Sequence, residues 1–352
     1  MKLYKGELLF SKYDGLYFSP INYSESEIFY NLHRKGNGTY PFRINQEYEA
    51  VTHFDAFKNK QQLVIPEKHY QLSDYINYTF GLEFETSQGY IPEDICYRDG
   101  LIPLRDGSIT APEYSTIVLE GNSGIALLKQ QLETLKKYTN FNKECSLHVH
   151  LGNYPLTPQT IFNLYSTCKA LEHELKSILP DWTFTTSNYK ENGKDYCKLL
   201  RNYRNFDNMY QSLVGIEFFG DFTQAHPKDV DRRHKWNVPT RYFWCNFINA
   251  LCYNVNKTIE FRFLRPTYNF KKIILWLYIF NGILKYSQDY YDPGDRVQLK
   301  YIMDKCYPSE VSKNLIEGIS RISLLTINQQ ANGDYCGAEF WRDDELFNDL
   351  SI

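Results

Sequence analysis

A chain of 352 residues with 43% apolar and 23% charged side chains has ordinary globular composition and is long enough to bury roughly three quarters of its unfolded surface. Its net charge of −3 provides no field that would draw it to nucleic acid or an anionic membrane, and the one basic run, DVDRRHKW at 229–236, includes two acids and reads as a solvated loop. The eight cysteines are scattered without a CxxC pair, which argues against a structural zinc site and for a reducing compartment.

Residues 1–75 mix short β-prone runs (ELLF, GLYF, QQLVI) with Gly, Asn and Pro breaks, and the expectation is a β-rich N-terminal extension. MKLYKGELLFSKYDG lacks a long apolar signal core. The longest apolar run, IILWLYIF at 273–280, falls far below the roughly 20 residues that span a bilayer. A soluble, cytoplasmic protein is expected.

From Phe80 onward the periodicity sharpens. In NSGIALLKQQLETLKKYTNF, Ile125, Leu128, Leu132 and Leu135 form one helical stripe, with Asn122 or Ser123 as the expected N-cap. TPQTIFNLYSTCKALEHELKSILP opens with Thr157 as cap and Pro158 at the first helical position, and Pro180 stops it. NFKKIILWLYIFNGILKY and PSEVSKNLIEGISRI predict two further helices. This divides the chain into an extension over 1–75, a central domain over 76–290 and a mostly helical extension over 291–352.

Between the helices lie three strictly alternating segments: GLEFE at 81–85, SLHVH at 146–150 and TIEFRF at 258–263. Alternation puts Glu83 with Glu85, His148 with His150, and Glu260 with Arg262 on one face of their strands. Leu82, Phe84, Leu147, Val149, Ile259, Phe261 and Phe263 take the other face. Any one such strand is unremarkable as a half-wetted strand, but three strands each bearing an acid, imidazole or guanidinium pair are not.

Two carboxylates at i and i+2 start about 6.5–7 Å apart, and when shielded from water they repel unless a cation sits nearby. A divalent metal removes that conflict, and two carboxylates on one strand can each serve a different metal. A guanidinium beside such metals makes a clamp for phosphate oxygens.

These segments, in this order, resemble the ExE, HxH and ExR motifs of the amidoligase branch of the glutamine synthetase-like carboxylate–amine ligases. RDGSITAPEYS at 105–115 is similar to that branch's DGS followed by an acid and serine, and RYFWCNFINAL at 241–251 to its Arg-Tyr with a downstream Asn. The resemblance covers about residues 78–285. It implies an α+β fold, a curved and mainly antiparallel sheet forming a catalytic cup with helices on its outer face.

The resemblance further implies ATP with two Mg²⁺ ions, Mn²⁺ being a possible substitute. Glu83, His148 and Glu260 would hold the metal nearest the transferred phosphoryl group, and Glu85 with a later acid, Glu113, the second. His150 would contact the ATP phosphates and Arg262 would neutralise the phosphoryl group in transfer. Arg241 or Arg265 would hold phosphate or a substrate carboxylate, with Arg201 and Arg204 as weaker candidates on the substrate side. Where the family has a glycine two residues before the third acid, this chain has Ala111, with Pro112 between. Proline cannot donate to a central ladder, so Glu120 is the alternative to Glu113.

The implied activity is ATP-dependent amide formation through an acyl phosphate, joining a small-molecule or peptide carboxylate to an amine. Two other readings stay open: a metal-dependent hydrolase using His148 and His150 around an activated water, and a catalytically degenerate nucleotide-binding or structural protein of a phage or mobile element. Oligomeric state is left open by the residues.

Overall fold

The computed structural model describes residues 75–104, 111–142, 145–179, 197, 199–200, 243–247, 250, 258–291, 297–331 and 347, with the backbone of five strands before residue 53. Those five are β1 (Glu7–Ser11), β2 (Leu16–Tyr23), β3 (Glu27–Leu32), β4 (Thr39–Arg43) and β5 (Tyr48–Thr52). They form an antiparallel sheet in the order β4-β3-β2-β1-β5.

The chain then runs through β6 (Thr79–Glu85), β7 (Gln88–Gly89), α1 (Glu93–Asp99), β8 (Leu101–Leu104), β9 (Glu113–Thr116), α2 (Gly121–Tyr138), β10 (Thr139–Asn140), β11 (Leu147–Gly152) and α3 (Pro158–Ile178). After these come β12 (Cys245–Asn246), β13 (Thr258–Leu264), α4 (Phe270–Lys285), α5 (Leu299–Cys306) and α6 (Ser309–Ala331). A second sheet, six-stranded and antiparallel, has the order β12-β13-β11-β6-β9-β8. Among the described residues it is open, with β12 and β8 at its edges. The fold is therefore mixed, with helices and antiparallel sheet.

Alternation predicts the core correctly. Phe80, Leu82 and Phe84 of β6, Leu147, Val149 and Leu151 of β11, and Ile259, Phe261 and Phe263 of β13 are all buried in one apolar cluster. The helices supply the other side of that cluster. Ile125, Leu128, Leu132 and Leu135 of α2 and Ile161, Leu164, Cys168, Leu171 and Leu175 of α3 are its stripes. Phe261 stacks on Phe280 of α4 with ring centroids 4.0 Å apart. Burial of each such side chain contributes about 1.5–3 kcal/mol, so the sheet is held by its apolar face.

The expected cap of α3 is present: Thr157 Oγ1 accepts from the Thr160 N–H at 3.1 Å, and the Thr160 hydroxyl accepts from the Thr157 N–H. The cap of α2 is a correction. Glu120, not Asn122 or Ser123, holds the N-cap position, because Leu119 pairs with Phe80 in a β-bridge and Gly121, at φ 55°, turns the chain straight from that bridge into the helix.

The helices after residue 290 join the same core. Leu299, Ile302, Met303, Leu315 and Ile319 belong to it, and a Cβ added at Gly282 of α4 would meet the Met303 Cε of α5 at 2.7 Å. Among the described residues no helix is long and apolar enough to cross a membrane.

Candidate metal centre

Register decides which polar side chains meet. On neighbouring strands, His148 lies opposite Glu83, His150 opposite Glu260, and Asn246 opposite Glu260 from the far side. Directly opposite side chains start about 4.5–5.5 Å apart, so four separate sequence segments deliver one cluster at the middle of the sheet. The β11–β13 ladder is irregular between Leu147 and Val149. Such a bulge re-aims side chains locally, and here it falls at His148.

The two imidazoles are placed differently. His148 is buried, with Nδ1 3.2 Å from Glu83 Oε2 and 3.3 Å from Glu260 Oε1, and with Nε2 3.2 Å from Ser146 Oγ. Carboxylates only accept, so Nδ1 donates to Glu83, with Glu260 Oε1 close beside it, and both ring nitrogens are engaged. His150 instead has Nδ1 3.1 Å from Thr258 Oγ1, while Nε2 faces Glu83 Oε1 at 3.3 Å and Glu260 Oε1 at 4.0 Å. A polar group on one ring nitrogen, leaving the other for a cation, is the arrangement that orients metal-binding histidines.

Glu83, His150 and Glu260 each offer a donor atom within 4.8 Å of the other two. Two ligands of one ion, at roughly 2.1–2.5 Å each, can be about 4–5 Å apart, so this donor set fits a divalent cation. Two carboxylates with one imidazole suit Mg²⁺ or Mn²⁺ chemistry. The resemblance implies a metal on His148 and phosphate on His150; the convergent group contains His150.

Glu260 is the most heavily engaged member. Asn246 Nδ2 donates to its Oε2 at 2.6 Å, and Arg262 Nη1 donates to its Oε1. Burial works to raise the Glu83 and Glu260 carboxyls. The facing His150 and His148 outweigh burial at Glu83, and Arg262 with the same imidazoles outweighs it at Glu260, so both lie below the usual range. Burial lowers His150, but Glu83 and Glu260 more than reverse that, and its net shift is upward. Carboxylate-minus and imidazolium-plus therefore stabilise each other when no metal is bound.

A second pair of acids adjoins the first. Glu85 lies directly opposite Glu113 and both are buried. Glu85 Oε2 accepts from the Ser146 N–H at 2.9 Å. Pro112 stands just before the first residue of β9, where no ladder donor is required of it. Its carbonyl instead accepts from the Thr86 hydroxyl. Glu120 is exposed beside α2. Glu113, not Glu120, is thus the acid that faces Glu85.

Arg265 is partly buried and its Nη1 donates to the Cys145 carbonyl at 3.0 Å. Arg241, Arg201, Arg204 and residues 105–110 of the DGS segment lie outside the described residues.

Sequence reasoning passed over four residues here. Ser146 and Thr258 continue the same period-2 face by one step, so that signal was present. Asn246 had only its place in the Arg-Tyr…Asn segment to suggest a role. Glu172 of α3, buried within an apolar helix face, accepts from Trp244 Nε1 at 2.9 Å and from the Leu200 N–H. It thereby pins the segment that carries Asn246, and nothing in its helical spacing announces this. Compared with protein-family models, curated proteins and solved structures, the chain matches none of them.

Proposed function

We propose that the chain is an ATP-dependent carboxylate–amine ligase, built on the cup-like sheet of the family its motifs resemble. The observation that carries this reading is the convergence of Glu83, His150 and Glu260 with Arg262 bonded to Glu260. Cation ligands beside a fixed guanidinium suit a phosphate chain and its accompanying cation.

In the proposed reaction a substrate carboxylate oxygen attacks the γ-phosphorus of ATP, the bond to ADP breaks and an acyl phosphate forms. An amine then attacks the acyl carbon, phosphate leaves and the amine's surplus proton passes to solvent. Bound Mg²⁺ or Mn²⁺ supplies charge neutralisation at the phosphate oxygens.

The chain's own part is positioning. Glu83, His150 and Glu260 hold one cation, and Glu85 with Glu113 supplies carboxylates for a second. His148 keeps Glu83 and Glu260 converged by donating from Nδ1 to Glu83 while lying 3.3 Å from Glu260 Oε1. Arg262 meets the charge on the transferred phosphoryl group, and Arg265 lies close by for a substrate carboxylate. The carboxylate and amine are small molecules or peptides, and ATP use puts the chain in the cytoplasm.

A zinc hydrolase would need both imidazoles as ligands. The engagement of both His148 ring nitrogens counts against that reading.

The test is a thermal shift with Mg²⁺ and ATP, followed by ADP release with paired carboxylates and amines. The melting temperature should rise with Mg-ATP, and Glu83→Ala or Glu260→Ala should abolish the rise. An intact protein with no nucleotide-dependent shift would overturn the proposal.

A further inference from the structure

Glu260 has two oxygens in two different situations. Oε2 is held by Asn246 Nδ2 at 2.6 Å, on the side away from the imidazoles. Oε1 is the oxygen that faces His148 Nδ1 at 3.3 Å and His150 Nε2 at 4.0 Å, and it also accepts from Arg262 Nη1. A cation gathered by Glu83, His150 and Glu260 must therefore use Oε1, the atom on which Arg262 already sits.

Arg262 is itself incompletely partnered. Its side chain is 7% exposed, yet its Nε has no hydrogen-bond partner among the described residues. A buried donor left in that condition is destabilising, and a guanidinium fork is shaped to recover the loss on a tetrahedral oxyanion. Two positive charges cannot share one carboxylate oxygen without repulsion, whereas an anion can accept the guanidinium that a cation displaces.

Asn246 is well placed to stay put while this happens. It lies opposite Glu260 on β12, and the same short strand is tied down by the Arg262 N–H donating to the Trp244 carbonyl at 2.9 Å and by Trp244 Nε1 on Glu172.

We propose that Asn246 is a positioning residue that fixes Glu260 by Oε2, so that Oε1 passes from Arg262 to a cation while Arg262 passes to an oxyanion beside it. Cation and oxyanion binding are then positively coupled through one carboxylate oxygen, and the coupling is reciprocal. This rests on the reading of Glu83, His150 and Glu260 as cation ligands.

The experiment titrates Mn²⁺ into the full chain, by calorimetry and by the Mn²⁺ paramagnetic resonance signal, in sulfate and in chloride at equal ionic strength. Sulfate is expected to tighten Mn²⁺ binding about 5-fold or more in the wild-type chain. Arg262→Met should lose that enhancement, and in chloride it should bind Mn²⁺ at least as tightly as wild type because the competitor is gone. Asn246→Ala should bind Mn²⁺ about 10–100-fold more weakly, with an altered Mn²⁺ spectrum and an unchanged sulfate enhancement.

Wild-type Mn²⁺ affinity that is the same in sulfate and chloride overturns the proposal and leaves the cation reading standing. The wild-type comparison needs no variant, so it decides even if Asn246→Ala does not fold. Equal affinity in Asn246→Ala and wild type removes the role of Asn246. Absence of any Glu83-dependent Mn²⁺ binding overturns the proposal and the ligase reading together.

Discussion

His148 Nδ1 lies 3.2 Å from Glu83 Oε2 and 3.3 Å from Glu260 Oε1, so one imidazole nitrogen stands between two carboxylates from different strands. His150, two residues on, reaches the same acids with a nitrogen that has no hydrogen-bond partner among the described residues. Substituting the two histidines should therefore give unlike defects. His148→Ala should destabilise the cation-free protein by about 1–3 kcal/mol in urea unfolding, with part of the loss recovered on adding Mn²⁺. His150→Ala should instead cost cation affinity with a smaller change in stability. Identical profiles for the two variants would contradict this division.

Stability without metal should depend on pH in a way these shifts dictate. Glu83 and Glu260 lie below their usual 4.5, so their contribution is present above 4.5 and is lost as pH falls through the lowered values. His150 lies above its usual 6.5, so its contribution is fully present below 6.5 and is lost as pH rises through the raised value. The cluster is thus most stabilising between 4.5 and 6.5, the two usual values. Urea midpoints of wild type and Glu83→Gln, compared across pH, should differ most in that window.

Cation binding should show the opposite slope near neutrality. A cation needs the His150 nitrogen unprotonated, so its entry displaces a proton. Affinity for Mn²⁺ should rise with pH until His150 is neutral, and calorimetry in buffers of different ionisation enthalpy should count the proton released. No buffer dependence at pH 6 would rule out His150 as a ligand.

Glu85 and Glu113 are buried and directly opposed, an arrangement in which like charges destabilise each other. Glu113→Gln should raise metal-free stability by about 0.5–1 kcal/mol and weaken binding of a second Mn²⁺ equivalent. Glu120→Gln, at an exposed position, should do neither.

Glu172 tests the support behind the site. Glu172→Leu would leave Trp244 Nε1 and the Leu200 N–H without their acceptor, at a cost of about 2–4 kcal/mol. Because Trp244 precedes Asn246 on the same short segment, Mn²⁺ affinity should fall as well. Unfolding in denaturant and Mn²⁺ titration of the folded variant check the two effects separately.

The alternating strands, their apolar face and the two helical stripes of α2 and α3 were legible from period alone, because side-chain direction in a strand or helix follows directly from position along it. So was the shared polar face of Glu83, Glu85, His148, His150, Glu260 and Arg262. Local period is enough to say which residue types face away from the core. How those residues pair follows from strand order and register, which are long-range properties: they set Glu83 against His148, Glu85 against Glu113 and Asn246 against Glu260. Which imidazole is engaged on both sides and which keeps a nitrogen free depends on a ladder irregularity beside His148 and on Ser146 and Thr258 at opposite ends of the cluster. No local pattern encodes the pairing of Glu83 with His148 or of His150 with Thr258, because those contacts join strands 65 and 108 residues apart along the chain.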